Sequence, residues 1–271
     1  MRKSIWLDFL KLIAVFLALW VFLVFIISNI PVEWRMKSEI SSEVFEISMD
    51  DEKKLGDFLL EMYLEDQVVL ENSLIDSGLH QIEARLLRLT GDNTYDINFI
   101  IIKSEAVNAM TFPGGNIIIH SALIDFCENP EELASVIAHE LGHVYNRDVL
   151  DKILAEVGMT LLVTVITGGD ASIVHEIMGT LLKSVFSRSQ ESEADAYGLI
   201  LLEDAEIDPQ NLGVFFERLN ENDLGYDARI EFLMSHPHND SRIKTSSDYE
   251  VKDGFSSRSL DLDWGRIKST M

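Results

Sequence analysis

The segment best suited to chemistry is His139-Glu140-Leu141-Gly142-His143. On a helix, residues four apart share one face, so both imidazoles can reach the same metal ion. Glu140 then lies beside them, where it can hold a water molecule. The pattern predicts a catalytic zinc site, with one Zn²⁺ per chain.

A catalytic zinc ion usually has three protein ligands and one position open to water. A third histidine six residues after the second is ruled out, because Val149 stands there. The third ligand is therefore expected to be a glutamate from a separate, downstream helix. The acidic candidates are Glu156, Glu176, Glu191 and Glu193.

Glu191 is favoured because Asp195 lies four residues later, on the same helical face. Asp195 can accept a hydrogen bond from the free ring nitrogen of a ligand histidine. Glu193 has Tyr197 at the equivalent place, which cannot act as a carboxylate would. The alternative is that both glutamates are solvated surface charges.

A helix start lies ten residues before the first histidine, at Asn129-Pro130-Glu131-Glu132. Asparagine can cap the helix, proline suits its first position, and a glutamate at the third position completes the signal. The apolar stripe of this helix consists of Leu133, Val136, Ile137, Leu141 and Val144. His139 and His143 lie about a third of a turn away. We therefore expect the two histidines to flank the core.

Other elements can be predicted from hydrophobic periodicity. Two or so amphipathic helices are expected within residues 38–88. The apolar run at residues 157–166 is too short to cross a bilayer and predicts a buried or interfacial helix. Runs rich in β-branched and aromatic residues predict a small sheet; they are residues 95–103, 106–112 and 116–120.

Residues 12–27 contain no polar or charged side chain. With its flanks, this run has about the length that a bilayer requires, so it predicts an uncleaved transmembrane anchor. A cleavable signal peptide is the alternative, but Ser28-Asn29-Ile30 is a poor cleavage site. A weak excess of basic residues before the run places the N-terminus in the cytoplasm. The rest of the chain would then face the periplasmic side of a bacterial inner membrane.

The composition excludes some classes of function. The 46 acidic residues outnumber the 22 lysines and arginines, giving a net charge of -24 that repels nucleic acid. Cys127 is the sole cysteine, so neither an intrachain disulfide nor a cysteine-rich zinc site can form.

Further motifs accompany the histidine pair. Residues 187–195 have the sequence SRSQESEAD, and Asn108-Ala109 and Pro113-Gly114-Gly115 precede the helix. Ser235-His236-Pro237 and Arg242 follow it. With these motifs, residues 97–242 resemble the zinc metallopeptidase family that includes HtpX, BepA, the mitochondrial Oma-type protease and the CAAX prenyl proteases.

The resemblance implies an α+β, gluzincin-like fold that is mainly helical with a small sheet, preceded here by one transmembrane helix. It implies that the zinc ligands are His139, His143 and Glu191. It further implies that Glu140 is the general base and that Asp195 orients a ligand.

Two more roles follow from the resemblance. His236 and Arg242 are expected to stabilise the oxyanion that develops on the substrate. His236 could instead bind the zinc as a fourth ligand and hold the enzyme latent. Lost activity in a His236→Ala variant would indicate stabilisation, and raised activity would indicate a latch.

The substrate is expected to bind as an extended strand beside an exposed sheet edge. Residues 106–112 or 116–120 could form this edge. The resemblance favours Asn108 and Ala109 as the substrate-binding positions, and the alternative is a plain core strand.

Four segments are expected: an anchor at 1–30, a helical lead-in at 31–91, a zinc metallopeptidase domain at 92–248, and a polar, poorly ordered tail at 249–271. The expected function is that of a membrane-anchored zinc endopeptidase acting on unfolded or misassembled extracytoplasmic proteins. The alternative is a zinc-binding pseudoprotease that acts as a membrane-associated chaperone or assembly factor. Glu140 argues against it, because a scaffold needs no carboxylate beside the zinc water.

Overall fold

The computed structural model describes residues 47–89, 94–166, 171–183, 185–223, 231–236 and 240–271. Residues 48–271 belong to one compact unit. The predicted membrane segment at residues 12–27 and Pro237 lie outside the described residues. Within the described ranges, no helix combines the length and the apolar character needed to cross a bilayer.

The first helices of the described chain are α1 (Met49–Leu64), α2 (Ser73–Leu86), α3 (Ser121–Phe126) and α4 (Pro130–Tyr145). They are followed by α5 (Asp148–Ile166), α6 (Ala171–Lys183), α7 (Arg188–Asp204) and α8 (Gln210–Asp223). The last are α9 (Phe232–Ser235), α10 (Asp240–Ser247) and α11 (Trp264–Lys268). The strands are β1 (Asn98–Ile102), β2 (Ala109–Phe112) and β3 (Asn116–His120). The predicted α+β class, mainly helical with a small sheet, is confirmed.

The sheet has the strand order β1-β3-β2. β3 runs parallel to β1, with Asn98 opposite Asn116, and antiparallel to β2, with Ala109 opposite Ile119. β2 and β3 are joined by Pro113–Gly115, in which Gly114 has a φ of 76°. Because β3 is the central strand, the expectation that residues 116–120 could form a substrate-binding edge is wrong.

The predicted start of α4 is confirmed. The Asn129 side chain accepts a hydrogen bond from the Glu132 amide at 2.8 Å, and Pro130 occupies the first turn. The expectation that the histidines only flank the core is wrong, because His139 and His143 are both 0% exposed. The ring of Phe216, on α8, packs edge-on against that of His139, with ring centres 6.3 Å apart.

The apolar run at residues 157–166 forms the second part of α5, after a break at Gly158, where φ is 76°. Leu162 and Val165 are buried. The prediction of a buried helix is thus confirmed for these two side chains.

The predicted amphipathic helices before the sheet are present as α1 and α2. α1 packs against the Pro113–Gly115 turn so tightly that a Cβ on Gly56 would overlap the Pro113 carbonyl. The described part of the lead-in is therefore packed on the sheet.

The tail after residue 248 packs on the domain, which corrects the expectation of poor order. Leu260 and Ile267 are buried, and the indole of Trp264 donates to the Cys127 carbonyl at 3.1 Å. Earlier in the tail, the Leu260 amide donates to the carboxylate of Glu131, at the start of α4, at 2.6 Å. Apolar side chains spaced among the serines and aspartates supply this anchorage.

Candidate metal centre

Four buried side chains converge at the centre of the domain: His139, His143, Glu191 and His236. One ligand atom from each lies within 4.8 Å of all the others. The Nε2 atoms of His139 and His143 are 3.2 Å apart. The Nδ1 atom of His236 lies 3.3 Å from His139 Nε2 and 3.0 Å from Glu191 Oε1.

The surroundings of the two helical histidines favour a cation between them. Asp195 Oδ1 lies 2.9 Å from His139 Nδ1, and Asp148 Oδ2 lies 2.7 Å from His143 Nδ1. Each carboxylate keeps the ring proton on Nδ1, so both Nε2 atoms present lone pairs. Two lone pairs at 3.2 Å repel one another, and a metal ion bound by both nitrogen atoms would remove that repulsion.

The distances match a tetrahedral metal site. Zinc bonds of about 2.0–2.1 Å place tetrahedral ligand atoms about 3.3–3.4 Å apart. Glu191 Oε1 lies 3.5 Å from His143 Nε2, and Glu191 Oε2 lies 3.7 Å from His139 Nε2. Three imidazoles and one carboxylate also form a donor set that suits zinc.

Glu140 lies beside this cluster and is 0% exposed. Its Oε2 atom accepts a hydrogen bond of 2.7 Å from the Thr111 hydroxyl on β2. Its Oε1 atom has no hydrogen-bond partner among the described residues, and it lies 3.5 Å from His236 Nε2. One oxygen is thus fixed, while the other remains available to a water or a substrate group.

Arg242 contacts the carboxylates behind the ligands. Its Nε and Nη2 atoms donate to the two oxygens of Asp195, both at 2.7 Å, and its Nη1 atom contacts Glu191 Oε2. Burial disfavours the charges of both partners, but their hydrogen bonds outweigh it. The pKa of Arg242 is raised and that of Asp195 is lowered. Sequence reasoning expected Arg242 to act on the oxyanion; these contacts direct it toward Asp195 and Glu191.

The segment carrying His236 is held on two sides. The Phe232 amide donates to the Val107 carbonyl at 3.1 Å, and the Phe186 amide donates to the Ser235 carbonyl at 3.0 Å. Phe232 stacks on His236 with ring centres 4.5 Å apart. Phe186 stacks on His143 at 3.9 Å. Aromatic rings thus cover the cluster.

Asn108 and Ala109 lie at the start of the β2 edge and are 5% and 2% exposed. The Asn108 carbonyl accepts from the His120 amide at 3.1 Å, as a strand partner does. Its side-chain oxygen is buried without a hydrogen-bond partner in the part of the chain that the structure describes. The preceding carbonyl, of Val107, is occupied by the His236 segment.

Sequence reasoning missed three residues next to the cluster: Thr111, Asp148 and Phe186. Asp148 had a usable signal, because it is an acidic residue five positions after His143 and at the start of the next helix. Thr111 carries the one hydroxyl group in β2, whose other side chains are apolar. No local pattern marks Phe186, since its contact with His143 depends on how α7 approaches α4.

Comparison with known proteins agrees with this geometry. The model of peptidase family M48 matches residues 73–250. The chain is 28% identical over 210 residues to the beta-barrel assembly-enhancing protease of Yersinia pestis, covering 73% of this chain and 43% of that protein. It is 27% identical over 210 residues to the protein of the same name in Escherichia coli (strain K12), with the same coverage of both chains.

A mitochondrial relative is also similar. The mitochondrial metalloendopeptidase OMA1 of Arabidopsis thaliana is 30% identical over 182 residues, covering 67% of this chain and 36% of that protein. The chain thus spans less than half the length of these relatives. The resemblance inferred from the motifs is confirmed, and the matched segment carries all four residues of the buried cluster. This chain belongs to peptidase family M48.

Proposed function

We propose that this protein is a zinc metalloendopeptidase. The observation that carries the proposal is the cluster of His139, His143, Glu191 and His236 beside Glu140, within a domain of peptidase family M48. His139, His143 and Glu191 would hold the zinc ion. When bound, Zn²⁺ polarises a scissile carbonyl and lowers the pKa of a water molecule.

The remaining chemistry belongs to the side chains. Glu140 takes a proton from the attacking water at Oε1 and passes it to the leaving amine. Thr111 keeps the other oxygen of Glu140 in place through its hydrogen bond of 2.7 Å. Asp195 and Asp148 hold the ligand rings in the orientation that directs Nε2 toward the metal. Arg242 offsets part of the negative charge of Glu191 and Asp195.

His236 is proposed to act as a latch. Its Nδ1 atom lies within 3.3 Å of His139 Nε2 and 3.0 Å of Glu191 Oε1, which favours a fourth ligand. A tetrahedral site with four protein ligands has no position left for water. The His236 segment must therefore move away before a peptide can be cleaved. The same movement would free the Val107 carbonyl beside Asn108 and Ala109 for an extended substrate.

The substrates are proposed to be unfolded or misassembled proteins outside the cytoplasm. Two relatives are named beta-barrel assembly-enhancing proteases, which supports a role in protein quality control. Two exposed apolar side chains neighbour residues of the site in sequence: Met234, two residues before His236, is 72% exposed, and Val185, next to Phe186, is 53% exposed. Such side chains suit apolar stretches that a folded protein would bury. The apolar run at residues 12–27 supports a single membrane anchor.

The decisive experiment uses the full chain purified in detergent. Bound zinc and cleavage of an unfolded polypeptide such as casein are measured for four proteins. They are the wild type, His236→Ala, Glu140→Gln and the double variant that carries both changes. We expect zinc in all four proteins and cleavage only where Glu140 is intact. Glu193→Gln, a change of an exposed carboxylate on α7, is the control and should cleave normally.

If all four proteins bind zinc and none of them cleaves the polypeptide, the protease proposal is contradicted. That result would favour the pseudoprotease, a chaperone or assembly factor. Absence of zinc from all four would contradict both.

A further inference from the structure

A buried carboxylate on α1 accepts hydrogen bonds from three distant parts of the chain. Glu52 is 2% exposed. Its Oε2 atom contacts Arg147 Nε and Nη2, both at 2.7 Å. Its Oε1 atom accepts from the Tyr95 hydroxyl and the Gly114 amide, each at 3.2 Å. A buried charge with this many partners is fixed in place, because losing any of them is costly.

Arg147 occupies an unusual position in the backbone. It has a φ of 58°, in the left-handed region that residues with a side chain rarely adopt. It forms the turn between α4 and α5, where its amide donates to the Val144 carbonyl at 3.0 Å. Such a conformation is strained and persists only when surrounding contacts hold it. The paired bonds to Glu52 supply such a contact.

The turn determines where the next residue points. Asp148 follows Arg147 directly, is 4% exposed and lies 2.7 Å from His143 Nδ1. A change of the left-handed turn would rotate Asp148 away from His143. The ring would then lose the partner that keeps its proton on Nδ1 and its lone pair on Nε2. The contacts therefore run from Glu52 through Arg147 and Asp148 to His143.

We propose that Glu52 is a positioning residue for the metal centre and acts on His143 through the Arg147-Asp148 turn. The match to peptidase family M48 begins at residue 73, so Glu52 lies outside it. A helix that precedes the matched segment thus completes the surroundings of a zinc ligand. The inference depends on the zinc site proposed above.

The test measures zinc affinity on the full chain in detergent, by competition with a chelating indicator. Glu52→Gln keeps the shape and removes the charge. We expect zinc affinity to fall by about tenfold in this variant and by about 10–100-fold in Asp148→Asn. Glu52→Asp, which keeps the charge, should recover part of the loss.

A matched control separates positioning from a general loss of stability. Glu132 is also buried, at 1% exposure, and pairs with Arg218 at 2.7 Å near the start of α4. Glu132→Gln should lower the melting temperature of the metal-free protein as Glu52→Gln does, but leave zinc affinity unchanged. Equal effects of both variants on zinc affinity would reduce Glu52 to a structural role and overturn the proposal.

A double-mutant cycle tests whether Glu52 acts on His143 through Asp148. If Glu52 acts through Asp148, Glu52→Gln should have little further effect on zinc affinity once Asp148 is asparagine. If the effects of the two substitutions on zinc affinity are fully additive, action through Asp148 is contradicted. Zinc affinity does not depend on peptide hydrolysis, so a protein that binds zinc without cleaving peptides still tests Glu52. A protein that binds no zinc would overturn both proposals.

Discussion

Gly142 of α4 lies against Ala194 of α7 with no room for a side chain between them. A Cβ added to Gly142 would stand 2.7 Å from Ala194 Cα and 2.8 Å from its carbonyl oxygen. A second glycine on α7 repeats this approach, because a Cβ on Gly198 would stand 3.1 Å from the His139 amide nitrogen. This close crossing brings Glu191 and Asp195 to the two histidines.

Gly142→Ala should therefore separate the helices. We expect a loss of about 1–3 kcal/mol in the free energy of unfolding, because the added methyl group meets rigid backbone. Zinc affinity should fall as well, since Glu191 moves with α7. Thermal denaturation and zinc titration check both effects. Gly179→Ala on α6 is the control: a Cβ there would meet no atom of the described residues within 4 Å, so stability should be unchanged or raised.

Loss of the Thr111 hydroxyl should lower the rate of peptide hydrolysis more than it affects the folded structure. Thr111→Val removes the 2.7 Å hydrogen bond to Glu140 and keeps the shape. A hydrogen bond to a charged group contributes about 1.5–3 kcal/mol, so kcat should fall by about 10–100-fold. Zinc content should stay at the wild-type level. Thr111→Ser retains the hydroxyl and should retain most of the activity; a similar loss in both variants would refute the assigned role.

Replacing His236 should activate the enzyme. His236→Ala removes the fourth candidate ligand and leaves three protein ligands with an open position. We expect kcat/KM on an unfolded polypeptide to rise about tenfold, which corresponds to about 1.4 kcal/mol. His80→Ala, at an exposed site on α2, is the control and should not change activity. Lost activity with zinc retained would assign His236 to transition-state stabilisation instead.

His120 should make the metal-free protein sensitive to mild acid. Burial lowers the pKa of this histidine to about 4, whereas the unfolded chain binds the proton near its ordinary value of about 6.5. The unfolded state therefore holds more protons between these values, and stability falls as the pH drops from 6.5 toward 4. The full effect is about 3 kcal/mol.

His120→Gln removes this titratable group, so it no longer contributes to the pH dependence of stability. Urea denaturation of both proteins in chelator, from pH 7 to pH 4, should show a wild-type stability that declines relative to the variant. All other side chains are the same in both proteins, so their contributions cancel in the comparison. A difference between the two proteins that stays constant with pH would contradict the assignment.

Sequence alone was sufficient where the signal lies within one helix. The cap at Asn129, the spacing of His139 and His143, and the spacing of Glu191 and Asp195 are each local patterns. Backbone geometry converts such spacings directly into shared faces. The prediction that Asp195 faces a ligand histidine therefore agrees with its position, 2.9 Å from His139 Nδ1.

Sequence reasoning was wrong or silent where segments far apart in the chain meet. It placed the histidines beside the core, although both are buried and Phe216 on α8 packs against His139. It expected a poorly ordered tail, although Leu260 and Ile267 are buried. A hydrophobic pattern measures how apolar one face is, and it does not reveal which distant element covers a polar one.

The sequence by itself determined the two helices of the candidate metal centre, the residues on them that could bind a metal, and the family to which they point. The tertiary structure alone decided that His236 Nδ1 meets Glu191 and that Arg242 contacts carboxylates. It also decided that Glu52 reaches the turn before Asp148. Ligand spacing is set by the geometry of a single helix, whereas these contacts join separate segments. Their positions are fixed only when burial and close packing bring the segments together.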